Sequence, residues 1–234
     1  MSYADEDGLS FWLPGFFGSL ASVPQQPGWS LASIYYRTDV SASGNAAVSR
    51  EVTIGQFNPR INININANVH GVADLGILAP SYVFETPFLG GQVSAALLGI
   101  YGRNDTALNA TLTATPIPFT RSFALEQTDA AFGDLIPQFA LRWNAGVNNY
   151  MTYLTGDLPV GKYDARDLAN LGLGHGAIDG GVGYTYFDQK AGNEFSATFG
   201  ITGNFINGST GYTSGIDSHL DLGASKFVTK QLQL

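Results

Sequence analysis

"RINININANVHG", residues 60–71, sets isoleucine at 61, 63 and 65 against Asn62, Asn64 and Asn66, and the alternation runs on through Asn68 to His70. Successive side chains of a β-strand point to opposite faces. The stretch therefore reads as a strand with one aliphatic face and one amide face. Two all-β architectures accommodate it. A soluble sandwich buries the isoleucines in a core and wets the asparagines. A membrane barrel gives the isoleucines to lipid and the asparagines to an aqueous lumen.

Other stretches repeat the pattern and favour the barrel. In "FSATFGITGNF" one face carries Phe195, Ala197, Phe199, Ile201 and Phe205, the other Ser196, Thr198, Thr202 and Asn204. In "DLIPQFALRWN" Leu135, Phe139, Leu141 and Trp143 oppose Asp134, Gln138, Arg142 and Asn144. In "IDSHLDLGAS" Asp217, His219 and Asp221 share a face opposite Ile216, Leu220 and Leu222. The apolar stretches are close to the roughly 9–11 residues that a tilted strand needs to cross a bilayer. Tyrosines and tryptophans such as Trp29, Tyr35, Tyr82, Trp143, Tyr150 and Tyr184 fall toward strand ends, where interfacial girdles sit. Eight strand candidates are present, and "KQLQL" at residues 230–234 begins a ninth alternation. The turns after the second, fourth and sixth ("ETPFLGG", "AGVNN", "DQKAG") are short, whereas those after the first, third, fifth and seventh are longer and more polar. Short turns at one end and long loops at the other mark a membrane barrel. The second strand candidate is too long to lie wholly in a bilayer. Either its Ile/Asn part projects beyond the membrane or a bulge near Gly71 shifts its register.

Composition agrees. Charged residues make up 13% of the 234, below the usual quarter or so, yet the mean hydropathy is only +0.04, which excludes a helical membrane protein. The net charge of −8 and the absence of any Lys/Arg run disfavour nucleic acid as a partner. With no cysteine there is no disulfide framework and no thiolate metal site. Residues 1–27 do not read as a strand: Phe11, Trp12, Phe16 and Phe17, broken by Pro14 and Gly15, form an apolar segment, a short helix or hairpin, that must dock on something. A plug inside the barrel is the expectation. "KYDARDLANLGLGHG", starting near Asp164, is the best helix candidate of the chain.

The phrases "GDLIPQFALRWN" and "TGDLPVGKYD…LANLGLGHGAIDGGVGYTY", together with "FWLPGFFGSLASVPQQPGWSLASIYYRT", resemble the phenol meta-cleavage-pathway family (MetA-pathway of phenol degradation) of outer-membrane transporters. The resemblance runs through nearly the whole chain. It implies a barrel in the outer membrane of a Gram-negative bacterium, in contact with lipid and lipopolysaccharide, that carries small hydrophobic or aromatic compounds. Members of the family continue past "TKQLQ", so the resemblance implies a chain truncated from about twelve strands, in keeping with the even strand number of such barrels; closure at eight strands, with "KQLQL" as a tail, is the alternative.

The expected architecture is an antiparallel up-and-down transmembrane β-barrel over residues 28–234 with the apolar segment 1–27 as its plug. Its polar lumen wall is expected from Asn62, Asn64, Asn66, Asn68, His70, Asp134, Gln138, Arg142, Asp217, His219 and Asp221. The in-strand charges Arg37, Asp74, Asp134 and Arg142 are expected to face the lumen, because each would cost about 2–4 kcal/mol in lipid. Asp217, His219 and Asp221 have the donor types of a cation site, but the hydrated-lumen reading is preferred and no metal or other cofactor is expected. No Gly-x-Ser-x-Gly elbow accompanies the histidines, so no catalysis is expected. A ligand-binding β-sandwich and an outer-membrane barrel enzyme are the alternatives.

Overall fold

Eight strands follow in chain order: β1 (Gly28–Glu51), β2 (Arg60–Val83), β3 (Gln92–Thr115), β4 (Phe119–Ala145), β5 (Asn148–Asp157), β6 (Ala177–Asp188), β7 (Asn193–Asn204) and β8 (Ile216–Lys226). The computed structural model describes residues 11–51, 60–115 and 119–228, without the side chains of 44–63. Each strand pairs antiparallel with the next, giving one up-and-down sheet curled into half a barrel, with β1 and β8 as its edges among the described residues. The start of a ninth strand falls outside the described residues. β1–β4 are 24 to 27 residues long, β5–β8 only 10 to 12. The short strands have the length of a bilayer crossing. Pairings such as Gly28↔Val83, Gln92↔Arg142, Ala145↔Asn148 and Asn193↔Lys226 bring the strand ends level at the short-turn end. The surplus of β1–β4 therefore projects at the other end. This also revises the loop expectation: β3 and β4 run so far that only residues 116–118 separate them.

The register of β1 on β2 is unbroken from Gly28↔Val83 to Glu51↔Arg60, and no bulge occurs at Gly71. One pleat thus governs all of β2. Its odd positions include Ile77 and Ala79, which are buried in the core cluster with Phe11, Trp12 and Phe17. Ile65, Ala67 and Val69 share that inner face. Asn64, Asn66, Asn68 and His70 share the outer face with the exposed Leu78. The expected asparagine lumen wall is corrected: these groups look outward, on the projecting part of the strand. Asn62 lies in the same strand, with its side chain outside the described residues. A two-residue period establishes that the faces differ, not which one is inside. That choice is made further along β2, where Ile77 and Ala79 meet the N-terminal segment.

β4 contains the irregularity that β2 lacks. Tyr101 pairs with Phe132 but Gly99 with Leu135, so Gly133–Asp134 forms a bulge. The extra residue exchanges the faces of β4. Beyond it Asp134, Ile136, Ala140 and Arg142 are buried, and Phe139 is exposed.

The outer surface then divides into bands. Exposed Leu31, Leu78, Leu97, Phe139, Leu154, Val182, Phe199 and Leu220 form an apolar belt. Ring pairs edge it on the short-turn side, Trp29–Tyr82 at 5.1 Å and Tyr150–Tyr184 at 5.6 Å, and Tyr101–Phe132 at 5.0 Å on the other. Just past Tyr101 runs an ionic row, with Arg37–Asp74 and Arg103–Asp105 each at 2.7 Å. Arg37 and Asp74 are therefore outside rather than in the lumen. They pair with each other at the margin of the apolar belt. Past them the outer face is Asn64, Asn66, Asn68, Asn109 and Thr111.

No helix occurs among the described residues. The helix expected near Asp164 is a folded loop between β5 and β6. Asp164 Oδ1 accepts from the Arg166 amide at 2.9 Å, and Asn170 Oδ1 accepts from the Asp164 amide at 2.9 Å. Such local side-chain bonds compete with a helical ladder. The N-terminal segment is likewise a succession of turns, neither helix nor hairpin.

Candidate functional site

The N-terminal segment, residues 11–27, lies on the inner face of the sheet, and the two sides of that face differ. The β5–β8 side is polar. Asp179, Thr185, Glu194, Ser196, Thr198 and Thr202 are all buried there. The segment meets it chiefly through hydrogen bonds. Asp221 accepts from the amides of Gly15 (3.1 Å) and Phe17 (3.4 Å). Glu194 accepts from the Ser19 hydroxyl (2.5 Å) and the Leu20 amide (3.1 Å). Thr185 Oγ1 accepts from the Ser22 amide at 3.2 Å. From β4, Arg142 Nε donates to the Ala21 carbonyl at 2.9 Å. A segment made of turns leaves its amides unpaired, and buried amides require acceptors. The inner carboxylates supply them.

Trp12 completes the attachment. Its ring stacks on His219 at 3.4 Å and 19°. His219 Nε2 bonds Asp179 at 2.9 Å and the Tyr153 hydroxyl at 3.2 Å. Gly181 and Gly200 make this cluster sterically feasible. A Cβ on Gly200 would collide with the Tyr153 hydroxyl and the His219 ring. Gly200→Val should therefore separate Tyr153, His219 and Trp12 at an overpacking cost of about 1–3 kcal/mol. The check is the temperature at which the folded form is lost in heat-modifiability gels; an unchanged midpoint would refute the packing role.

The β1–β4 side of the inner face has two apolar stretches, separated by the polar Asn104, Thr106, Gln127, Asp129 and Asp134. Between this side and residues 13–16 lies a cavity of about 250 Å³ lined by Ile34, Tyr36, Ile77, Ala79, Leu98 and Phe16, with Arg142, Gln138, Gln25, Ser81 and Ser94 among its polar members. Further along the same face come Val69, Leu108, Ala110, Ile65 and Leu112, paired across β2 and β3.

The 158–176 loop crosses this face between the two stretches. Asp134 accepts from the amides of Gly161 and Leu173, both at 2.7 Å, and so ties the two ends of the loop together. Lys162 Nζ reaches Asp129 at 2.7 Å, Gln127 accepts from the Leu168 amide at 2.6 Å, and Asn104 Nδ2 donates to the Asn170 carbonyl at 2.9 Å. The Asp129 carboxylate holds the Lys162 ammonium above its usual range. Gly133 permits the closest approach, since a Cβ there would lie 2.9 Å from the Leu171 carbonyl. Asp134→Ala leaves two partly buried amides without their acceptor, at up to about 1–3 kcal/mol each. The expected result is rapid tryptic cleavage after Lys162 and Arg166 while the sheet stays folded; resistance equal to wild type would show that the loop does not depend on Asp134.

The sequence-predicted residues are thus divided. Asp134, Gln138, Arg142, Asp217, His219 and Asp221 lie on the inner face with Phe11, Trp12, Phe16 and Phe17, whereas Asn64, Asn66, Asn68 and His70 do not. Asp217, His219 and Asp221 share a face but have separate partners, Asn204 for Asp217 at 2.6 Å and the segment's amides for Asp221. No group of three or more metal-ligating side chains occurs among the described residues. Sequence reading missed Asp179 and Glu194. The signal was an acidic residue near the start of a glycine-containing strand whose central residues carry no charge.

No curated protein and no solved structure matches the chain. Residues 35–234 match the family described as the MetA-pathway of phenol degradation. That stretch takes in the whole sheet apart from the first residues of β1, including the bulge, the loop it ties down and the Asp179–His219–Tyr153 cluster, and the chain belongs to this family.

Proposed function

We propose that the chain forms the wall of a non-catalytic outer-membrane passage for small hydrophobic molecules, aromatic ones among them, which diffuse down their gradient. The carrying observation is the pair of apolar stretches on the inner face, Ile65, Leu112, Val69 and Leu108 on one side of the loop and Ile77, Leu98 and the cavity on the other. On the same strands the outer face changes from amides to aliphatic side chains at the ionic row. An apolar outer belt of one crossing length between aromatic rings suits lipid, and the amide-rich surface beyond it suits water and lipopolysaccharide sugars. Membership of a phenol-degradation family agrees with an aromatic cargo. The 158–176 loop and the N-terminal segment then act as a strap and a plug across the route.

The test is uptake into proteoliposomes made with the full-length protein, using a panel of phenols, aromatic acids and alkanes. Uptake of at least one class above protein-free liposomes, from a protein that requires detergent for extraction and shows heat-modifiable migration, is the expected result. Extraction without detergent would overturn the reading in favour of a soluble β-sandwich.

A further inference from the structure

We infer that the cavity between the N-terminal segment and β1–β3 is a binding site for a small monocarboxylate with an apolar body of about one ring, its carboxylate held by Arg142. The inference rests on the passage reading and names the chemistry of its cargo. Arg142 is only 6% exposed. Its guanidinium has five N–H donors. Among the described residues it meets two neutral acceptors, the Ala21 carbonyl at 2.9 Å and the Ser94 hydroxyl at 2.6 Å, and no carboxylate. A buried cation without a counter-ion is costly. Arg37, Arg103, Arg166 and Lys162, by contrast, each have an aspartate within reach, and Lys226, which also meets only neutral acceptors, is exposed to water. In a protein with 19 acidic residues, no Asp or Glu lines this cavity among the described residues.

The shape of the cavity completes the specification. Ile34, Ile77, Ala79 and Leu98 offer no polar atom to a ligand body, and Tyr36 and Phe16 add aromatic surface. The volume of about 250 Å³ exceeds the roughly 150 Å³ that suffices for benzene. Arg142 and Gln138 from β4 and Gln25 from the N-terminal segment bring donors to its lining. A guanidinium fork matches a carboxylate in geometry and charge. A neutral phenol or alcohol leaves the cation uncompensated, and inorganic phosphate leaves the apolar walls unfilled.

Isothermal titration of the full-length protein in detergent, with sodium benzoate and with benzyl alcohol, tests the site. Benzoate is expected to bind at least about tenfold more tightly, a preference that Arg142→Met removes and Arg142→Lys partly keeps. Because Arg142 also bonds Ala21, a second variant is needed: Ala96→Trp fills the cavity from β3, leaves the guanidinium in place and is expected to abolish benzoate binding. Equal affinity for the two probes, wild-type benzoate affinity in Arg142→Met, or undiminished benzoate binding in Ala96→Trp would each overturn the assignment. Proteoliposome uptake of benzyl alcohol separates the two levels. Uptake without benzoate binding sinks the site and leaves the passage; benzoate binding without any uptake does the reverse.

Discussion

Deleting residues 1–27 from the full-length protein should raise its conductance in a planar bilayer severalfold. The segment is not tethered at one point. Asp221, Glu194, Thr185 and Arg142 bond its backbone or side chains along its length, and Phe11, Trp12 and Phe17 are buried in the same cluster as Ile77, Ile136 and Tyr153. Removing it exposes the buried acids of β6 and β7 to water and opens the cavity along one side. The sheet keeps its own backbone ladder, so the variant should still insert. It should also lose its folded form at a lower temperature, because each buried aromatic truncated from a core costs about 3–5 kcal/mol. A deletion variant that inserts with wild-type conductance would show that the segment does not block the route.

The second large effect discriminates lipid from water. Phe199→Arg places a guanidinium in the apolar belt, and Asn66→Arg places one on the same outer face past the ionic row. In a bilayer the first should cost about 2–4 kcal/mol and the second close to nothing. On a soluble protein both positions are solvent-exposed, and the two variants would be equally stable. Reversible denaturant titrations in phospholipid vesicles measure the difference; equal midpoints would remove the membrane assignment.

Much of this was legible in the sequence. All eight strands were, because alternation and turn residues are local signals, and β3 was placed to the residue. The faces of "DLIPQFALRWN" and "IDSHLDLGAS" were readable because only one face of each is apolar enough for a belt. The side of the Ile/Asn row was not readable. It depends on a register that holds over 24 residues and on the burial of Ile77 and Ala79, and no local pattern reports either. The helix expected near Asp164 failed because Asp164 and Asn170 bond to nearby backbone, a competition that the charge pattern conceals. Arg142 and Asp134 were recognised as inward-facing charges. Their partners, a backbone carbonyl and two amides from distant segments, were not recoverable from spacing.

The projecting halves of β1–β4 have a consequence of their own. From Arg37 to Glu51 the sheet extends about 45 Å past the ionic row, at roughly 3.3 Å per residue. Among the described side chains its outer side is wettable, at Asn64, Asn66, Asn68, Asn109 and Thr111, and its inner side is oily, at Ile65, Val69, Leu108 and Leu112, the reverse of what a bilayer-embedded wall requires. On the proposed passage reading, a lipophilic solute arriving from water would leave solution on this chute before it reaches the loop. Flux through such an entrance should follow the oil–water partition coefficient of the solute more closely than its molecular radius.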